Sequence, residues 1–520
     1  MPRSPHNMRH ARARITSTSR TRGVGVTAST TTRIVLVPPS SDAPSYLRYP
    51  PALNRPSPSW QEVLDQTAKR MAWLAPENSL VVDVCAADDV ERLQQVAVDA
   101  DACIWVDADK TDDADGARGA LTAVPTLLAL NSADDIDAHD AHGAGAAAVT
   151  LDNSARWCYQ PASALMHDDG AGRAFRQLMA GIGAGKDDAQ MIKRLANLHA
   201  RQTHLDFLYM CLLVADDLRP AGAPRVPFVS ATSKADASAL LCMASKCGKQ
   251  TVACLSDPMC KRAVDCLDEC GLGDQVCSYI CIRSYETKEF EKFTTCFIDR
   301  NNCLRNSASR PDTPHVTPTA TFRGEPLTWE GAEEIFVGHL YGDEGYSWLS
   351  AAGQNPAYDE FNCQYQLFYQ GKARNSFWYN PVFLVKTLPD SQVNGASVWR
   401  GSDYRCQRLE TPGEYLFTFC DNGATSKERW CIVEVDDNLE WALFYYSGAA
   451  VGPGQSYIGA VLGTRTGVWP EDEESRRRIE TALQTRCSIP LWEMVQVDNS
   501  NCADPPLTPK HAPRRAFPIS

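Results

Sequence analysis

The spacing of apolar positions changes along the chain and divides it into regions. Between residues 60 and 220, short apolar runs alternate with segments in which apolar residues recur every three or four positions, as on a helix with one buried face. The strand candidates are Leu80–Val84, Ala102–Val106 and Val124–Leu130, and the helix candidates are Val90–Val98 and Ala189–Leu198. This alternation predicts an α/β layer domain over residues 60–220.

A different pattern occupies residues 325–507, where aromatic-rich runs of strand length are separated by Gly, Asn-Gly and Asp-Asn turns. The runs are Gln364–Tyr369, Ser376–Val385, Ser397–Trp399, Tyr415–Phe419, Arg429–Val435, Trp441–Tyr446 and Ile458–Thr464, and a helix candidate, Glu471–Arg486, follows them. Short strands at near-regular spacing predict an antiparallel β-barrel with a closing helix. A barrel of about eight strands can hold one small ligand.

Residues 235–305, between these regions, hold half of the 20 cysteines: Cys242, Cys247, Cys254, Cys260, Cys266, Cys270, Cys277, Cys281, Cys296 and Cys303. No two of them are separated by only two residues, so the motif that places paired thiolates on structural zinc is missing. We therefore predict disulfides and no metal. The alternative is a segment of free thiols in a reducing compartment.

Several of these cysteines lie four residues apart, on one face of a helix, which predicts an α-helical domain stapled by disulfides. In an antiparallel helical hairpin, Cys270 would pair with Cys277 and Cys266 with Cys281. The same nesting favours Cys247–Cys254 inside Cys242–Cys260, and a bond Cys296–Cys303 would close a short loop. Spacing alone leaves the connectivity open.

Charge and the chain termini narrow the classes of function. The net charge is −13 and no Lys/Arg face is sustained, which argues against a nucleic-acid partner. No apolar run approaches the ~20 residues that span a bilayer. Residues 1–41 are rich in Arg, Ser and Thr and contain no acidic residue, a composition typical of an organelle transit peptide, so we exclude them from the fold. Residues 508–520 form a basic tail.

Two blocks of residues indicate a family. One is the cysteine series; the other consists of the barrel segments Ala352–Gln364 (AGQNPAYDEFNCQ), Asp421-Asn422-Gly423, Trp441–Gly448 and Val497–Ser500. Over about residues 235–507 the chain resembles violaxanthin de-epoxidases, and more closely the violaxanthin de-epoxidase-related proteins of plants and algae.

This resemblance implies a lipocalin-type barrel that begins at Trp348 and a disulfide between Cys363 and Cys502. It implies removal of an epoxide oxygen from a xanthophyll, with ascorbate as co-substrate. It also implies a chloroplast location associated with the thylakoid, with lumen and stroma both open. Peripheral contact with thylakoid lipid and a homodimer are further expectations. The domain before residue 235 is foreign to the enzymes but looks like that of the related proteins, and its role stays open.

The same resemblance suggests the residues of a site. Protonation of an epoxide oxygen requires a general acid, and a carboxyl group with a raised pKa suits that role. Asp359 is the first choice and Glu428 the second, since Arg429 beside Glu428 would lower its pKa. The expected substrate-binding residues are Tyr358, Gln364, Trp430, Tyr446 and Tyr457.

An apolar tunnel for the polyene would be lined by aromatic side chains. The candidates are the four aromatic substrate-binding residues just named, Tyr358, Trp430, Tyr446 and Tyr457, together with Tyr365, Tyr369, Phe377, Trp378 and Trp399. Ordinary core packing is the alternative for each. We expect a de-epoxidase-like oxidoreductase; the alternatives are a non-catalytic carotenoid- or isoprenoid-binding lipocalin and a xanthophyll epoxide isomerase.

Overall fold

Three regions of different architecture follow one another in the computed structural model. It describes residues 31–45, 47, 57–106, 114–121, 124, 126–130, 157–161, 195, 198, 202–219, 223, 225–226, 237–270, 274–355 and 357–510. No helix in these described ranges is long and apolar enough to cross a membrane.

The first region is built on a five-stranded sheet. Its strands are β1 (Thr32–Val37), β2 (Leu80–Val84), β3 (Ala102–Val106), β4 (Thr126–Leu130) and β5 (Trp157–Pro161). Their order is β2-β1-β3-β4-β5; β5 is antiparallel to β4 and the other pairs are parallel. The helices are α1 (Trp60–Leu74), α2 (Val90–Ala97), α3 (Ala114–Ala120) and α4 (His204–Asp217), with a 3₁₀ turn at Pro76–Asn78. The predicted α/β architecture is confirmed.

The prediction that residues 1–41 lie outside the fold is wrong for the end of that segment, which forms a strand. Strand β1 lies at residues 32–37, pairs with both β2 and β3, and buries Ile34 and Leu36 completely. A parallel strand buried on both faces shows only a short continuous apolar run, which the surrounding Arg and Ser residues obscured. Residues 1–30 lie outside the described residues, as does most of the predicted helix Ala189–Leu198.

The second region is helical. It contains α5 (Ala237–Ser256), α6 (Pro258–Glu269), α7 (Gln275–Tyr285) and α8 (Lys288–Thr294), followed by a π-helical turn at Thr295–Arg300. Helices α6 and α7 form the predicted hairpin, and the disulfides Cys266–Cys281 and Cys270–Cys277 are confirmed.

The other three predicted pairs in this region are wrong. The observed disulfides are Cys242–Cys303, Cys247–Cys296 and Cys254–Cys260. Helix α5 continues through Cys247 with only a kink there, so Cys247 cannot fold back onto Cys254. The chain turns at Asp257, which caps α6, and that turn brings together only the two cysteines that flank it. Cys242 and Cys247 instead pair with the end of the region.

The third region is a closed barrel. The eight strands that close on each other are β8 (Trp348–Gly353), β9 (Asn362–Gln370), β10 (Ser376–Lys386), β12 (Tyr404–Arg408), β13 (Glu414–Asp421), β14 (Ala424–Val435), β15 (Trp441–Ala450) and β16 (Gln455–Thr464). Strand β11 (Ser397–Gly401) adds to β10 and β17 (Val495–Gln496) adds to β8; β6 (Thr321–Phe322) and β7 (Glu325–Pro326) form a hairpin before the barrel. The antiparallel barrel is confirmed.

Helices complete the barrel region. They are α9 (Trp329–Val337), α10 (Ala357–Glu360) and α11 (Glu473–Arg486), with a 3₁₀ turn at Leu491–Glu493. The predicted closing helix is α11, which packs against β14. The disulfide that the resemblance implied, Cys363–Cys502, is confirmed and ties the start of β9 to the segment after β17.

The two ends of the barrel are closed differently. At one end, α9 inserts Phe336 among the interior rings, with its centroid 4.9 Å from that of Phe444, and the Trp348 indole donates to the carbonyl oxygens of Ile335 and Phe336 at 3.0 and 3.2 Å. At the other end, the cysteine-rich helices pack on the β13–β14 and β15–β16 turns. There Arg283 pairs with Asp421, and Asn306 donates to the Gly452 carbonyl at 2.7 Å. We call this second end the barrel mouth.

Candidate functional site in the barrel mouth

The candidate site is centred on Glu428, which β14 places inside the barrel near its mouth. The residue is 7% exposed. Its Oε2 accepts a hydrogen bond of 2.7 Å from the Trp430 indole, and its Oε1 accepts one of 2.7 Å from the Tyr457 hydroxyl. Burial raises the pKa of the Glu428 carboxyl, and the two hydrogen bonds only partly oppose that rise. Burial therefore favours the protonated form of this carboxyl relative to that of an exposed glutamate.

The expected influence of Arg429 is wrong. Adjacent residues of a strand point to opposite faces of the sheet, so Arg429 lies on the outer surface of the barrel. There it pairs with Glu414 and donates to the Val316 carbonyl at 2.6 Å. No ion pair among the described residues involves Glu428, which is therefore a buried carboxyl and not a salt-bridged surface group.

The register of three strands explains how Tyr457 reaches Glu428. Glu428 lies opposite Gly448 of β15, and Gly448 lies opposite Tyr457 of β16. The Tyr457 ring lies over Gly448, where a Cβ would come within 2.7 Å of it. Real Cβ atoms almost never approach a neighbour that closely, so only glycine leaves room for this hydrogen bond.

A second row of cross-strand neighbours on β14, β15 and β16 lies beside the row Glu428–Gly448–Tyr457. Trp430 pairs with Tyr446, and Tyr446 pairs with Gly459, over which the Tyr446 ring lies. The Trp430 ring is stacked between Tyr446, at 5.4 Å between centroids, and Phe417, at 4.6 Å. The structure thus brings together four of the residues predicted from the sequence: Glu428, Trp430, Tyr446 and Tyr457.

The connection between β8 and β9, which we call the mouth loop (residues 354–361, described except for residue 356), lies against this group. Asn355 Nδ2 lies 3.2 Å from the Tyr446 hydroxyl, and the Tyr358 hydroxyl also hydrogen-bonds Tyr446. Burial raises the pKa of Tyr446 to about 12, against the effect of those hydrogen bonds, so its hydroxyl stays protonated. The predicted contact residue Tyr358 therefore belongs to the site.

Two predicted residues stand apart from this group. Asp359 belongs to α10 in the mouth loop, but its side chain lies outside the described residues, so its role as an acid stays a prediction. Gln364 donates through Nε2 to the carbonyl oxygens of Ala357, at 3.0 Å, and Phe361, at 2.7 Å. These bonds hold the mouth loop, and a contact of Gln364 with substrate stays a prediction.

Sequence reasoning missed two tyrosines of the site. Tyr379 of β10 stacks on Phe368 at 4.3 Å, and Tyr404 of β12 stacks on Phe419 at 4.2 Å. Burial and the nearby Glu428 raise the pKa of both well above the ordinary value. Tyr379 follows Phe377 by two residues, so strand alternation could have placed it in the interior. Strand β12 is short and mostly polar and gave no such signal.

Strand alternation also corrects the predicted aromatic lining. Phe377 faces the interior, 5.2 Å from Phe336. The other four additional candidates pack in a separate cluster on the outer surface, beside the C-terminal segment: Tyr365, Tyr369, Trp378 and Trp399. The prediction that they line the interior is wrong.

The sulfur atoms of Cys270, Cys277 and Cys281 lie close enough together to be considered as metal ligands. Each of them is bonded in a disulfide, to Cys277, Cys270 and Cys266 respectively. Metal-binding sulfur is thiolate, so in this oxidised form the three sulfurs are not available as ligands.

Comparisons with known proteins agree with this architecture. A family model described as the VDE lipocalin domain matches residues 239–499. The chloroplastic violaxanthin de-epoxidase of Nicotiana tabacum is 24% identical over 287 residues, which cover 54% of this chain and 55% of that protein. The counterparts in Arabidopsis thaliana and Spinacia oleracea are each 22% identical, over 44% and 51% of this chain and 46% and 52% of theirs. The chain thus spans about half the length of the curated relatives that it matches.

Two solved lipocalins also align with part of the chain. The siderocalin Ex-FABP covers 30% of this chain and 93% of its own, at 10% identity and a TM-score of 0.22. The bovine lipocalin allergen Bos d 2 covers 29% of this chain and 88% of its own, at 11% identity and a TM-score of 0.20.

Proposed function

Because this chain belongs to the violaxanthin de-epoxidase lipocalin family, we propose that it is a xanthophyll de-epoxidase-like oxidoreductase with ascorbate as its reductant. The observation that carries the proposal is the buried Glu428 carboxyl, hydrogen-bonded by Trp430 and Tyr457 and carrying a raised pKa. An acid that stays protonated in a water-poor site is what epoxide opening requires.

In the proposed reaction, Glu428 gives its proton to the epoxide oxygen as the first carbon–oxygen bond breaks. Ascorbate supplies two electrons and is oxidised to dehydroascorbate. The second carbon–oxygen bond then breaks, the oxygen leaves as water, and the two ring carbons form a double bond. The two protons that ascorbate loses balance the water and restore the proton on Glu428.

The neighbouring side chains orient this acid and the substrate. Trp430 and Tyr457 hold the two carboxyl oxygens, so the acid occupies one position. The faces of Tyr446 and Trp430 provide an apolar surface for the end ring of a xanthophyll. Asp359, in the mouth loop, is the second candidate for the acid.

The experiment mixes the oxidised full-length chain with violaxanthin, with and without ascorbate, over a series of pH values, and follows the pigments by chromatography. We expect loss of epoxide that requires ascorbate. Glu428→Gln should lower kcat by about 10²–10⁴-fold, the usual contribution of a general acid. Glu410→Gln is the matched control because Glu410 is an exposed carboxylate on the β12–β13 turn.

The same experiment separates the alternatives. Tight binding without turnover would support a non-catalytic carotenoid- or isoprenoid-binding lipocalin, which the aromatic interior also suits. Conversion without reductant to a product of unchanged oxidation state would support an epoxide isomerase. If Glu428→Gln keeps full turnover while Asp359→Asn loses it, the acid is Asp359.

A chloroplast location, on either side of the thylakoid membrane, is part of the proposal, as are peripheral lipid contact and a homodimer. Helix α5 supports lipid contact because it exposes Val252 and Leu255, three residues apart on one helical face, and also Leu241 before the kink at Cys247. Replacing these three residues by Ser should abolish flotation with galactolipid vesicles. Sedimentation at increasing concentration decides between monomer and homodimer.

A further inference from the structure

A buried charged cluster joins the α/β domain to the barrel. Arg70 of α1 donates to Oε2 of Glu493, and Nδ1 of His204, the first residue of α4, lies 3.5 Å from Oε1 of the same carboxylate. The side chains of Arg70, His204 and Glu493 are 3%, 10% and 2% exposed. Glu493 lies between α11 and β17, so one carboxylate of the third region lies against two elements of the first, and Arg70 is the one that donates to it.

Glu493 also contacts the mouth loop. Its Oε2 also accepts a hydrogen bond of 2.7 Å from Nε2 of Gln354, the first residue of that loop. The next residue, Asn355, donates to the Tyr446 hydroxyl, and Tyr358 of the same loop hydrogen-bonds Tyr446. Arg70, Glu493 and Gln354 therefore connect the first domain to the loop that contacts Tyr446.

Stability alone does not account for this cluster. A buried ion pair pays a large desolvation penalty, and a well-packed apolar contact of equal volume is often as stable or more so. Here three buried atoms, Nε of Arg70, Oε1 of Gln354 and Oε1 of Glu493, also lack a hydrogen-bond partner among the described residues. Directed hydrogen bonds fix one geometry, which an apolar contact does not. In this cluster they fix the position of Gln354.

The charges in the cluster balance without His204. Burial lowers the pKa of His204 to about 4, with Glu493 opposing the change and Arg70 adding to it, so the imidazole is neutral at ordinary pH. Its Nε2 lies 3.1 Å from the Thr67 hydroxyl, and its ring packs edge-on against Trp492. Among the described residues, the ionic contact between these two regions is thus the pair Arg70–Glu493.

We propose that Arg70 is a positioning residue for the barrel mouth: through Glu493 and Gln354 it holds the mouth loop against Tyr446, and this is a function of the α/β domain. The inference deepens the proposed function, since the site that it positions is the proposed active site.

Hydrogen exchange measured by mass spectrometry on the full-length chain tests the inference. Arg70→Met should accelerate amide exchange in peptides covering residues 354–361 by about tenfold or more, because the loop loses its anchor at Gln354 while the one at Gln364 remains. The matched control is Gln66→Met, one helical turn earlier on the same face of α1. Gln66 donates across the same interface to the Ser488 carbonyl at 2.8 Å and does not contact Glu493. We expect unchanged exchange in the mouth loop of this control.

Arg70→Met leaves a buried carboxylate unpaired and could destabilise the whole fold, so a second variant controls for general destabilisation. The double variant Arg70→Met/Glu493→Met removes both charges and should regain most of the thermal stability while its mouth loop still exchanges fast. Unchanged loop exchange in both variants would overturn the inference. An equal acceleration in the mouth loop and in strand β14 would also overturn it, since that result is general destabilisation.

Turnover is a separate readout. If the wild-type chain converts violaxanthin, kcat of the double variant should fall about tenfold or more while kcat of Gln66→Met stays unchanged. If the wild-type chain shows no turnover, the proposed function fails, and the exchange measurements still decide whether Arg70 positions the loop.

Discussion

The Tyr457 hydroxyl donates a hydrogen bond of 2.7 Å to Oε1 of Glu428, across a strand that places glycine between them. Tyr457 therefore lowers the pKa of Glu428, since a hydrogen-bond donor favours the ionised carboxylate over the neutral acid. The protonation state that the proposed chemistry requires depends on this contact, on the Trp430 indole and on burial. Each can be changed by substitution.

Tyr457→Phe should move the titration of Glu428 to higher pH, because it removes a donor that stabilises the carboxylate. The measurement is the infrared band of the protonated carboxyl, assigned by its loss in Glu428→Gln. Tyr445→Phe is the control, since Tyr445 precedes Tyr446 on β15 and packs outside the barrel. A shift to lower pH in Tyr457→Phe would contradict the assignment.

Gly448→Ala should have the same effect on Glu428 by a different route. The new Cβ would displace the Tyr457 ring and break its hydrogen bond, at a cost of about 1–3 kcal/mol in unfolding free energy. Denaturant unfolding and the infrared titration check both results. Gly248→Ala in helix α5 meets no atom within 4 Å and should be neutral or slightly stabilising. Wild-type titration in Gly448→Ala would show that Tyr457 does not depend on this glycine.

The raised pKa of Glu428 predicts a direction for stability against pH. Its contribution is fully present below the ordinary pKa of a glutamate and is lost as pH rises through the raised pKa of the folded state. Glu428→Gln cannot ionise, so the unfolding free energy of wild type minus that of the variant should decrease with rising pH. Denaturant unfolding at several pH values measures this difference, and a constant difference would contradict the prediction.

His204 should change the unfolding free energy with pH in the opposite direction. Its pKa falls from an ordinary 6.5 to about 4, so its contribution is present above pH 6.5 and is lost as pH falls toward about 4. The loss is at most about 3–4 kcal/mol, at ~1.4 kcal/mol for each pH step of one. His204→Gln should remove this acid-side loss in the same unfolding series. An identical acid limb in variant and wild type would show that the buried imidazole does not titrate in this range.

The disulfides of the helical region should differ in their contributions. Cys242–Cys303 spans 61 positions and Cys254–Cys260 spans 6. By loop-closure entropy, removing the first should cost about 4 kcal/mol and removing the second about 2. Denaturant unfolding of the two Cys→Ala double variants compares them, and peptide mapping of the wild type checks the pairs. Peptides linking Cys242 to Cys260 would contradict the observed connectivity.

Local features of the sequence were sufficient for elements whose partners lie nearby in the chain. The hairpin of α6 and α7 needs only a four-residue spacing and a turn, so its two disulfides followed from the sequence. Most barrel strands were recognised because each carries its own apolar and aromatic pattern. The family resemblance supplied Cys363–Cys502 and the acids, including Glu428, which the spacing of residues along the chain would not have singled out.

Features that depend on distant segments were decided by the tertiary structure. Cys242 pairs across 61 positions because α5 runs on as one kinked helix, which no spacing rule reveals. Glu428 beside Arg429 suggested a lowered pKa, yet the strand sends the two side chains to opposite faces and burial raises it instead. The reason is general: spacing along a chain encodes local periodicity, whereas burial, register and electrostatics depend on which distant residues the fold brings together.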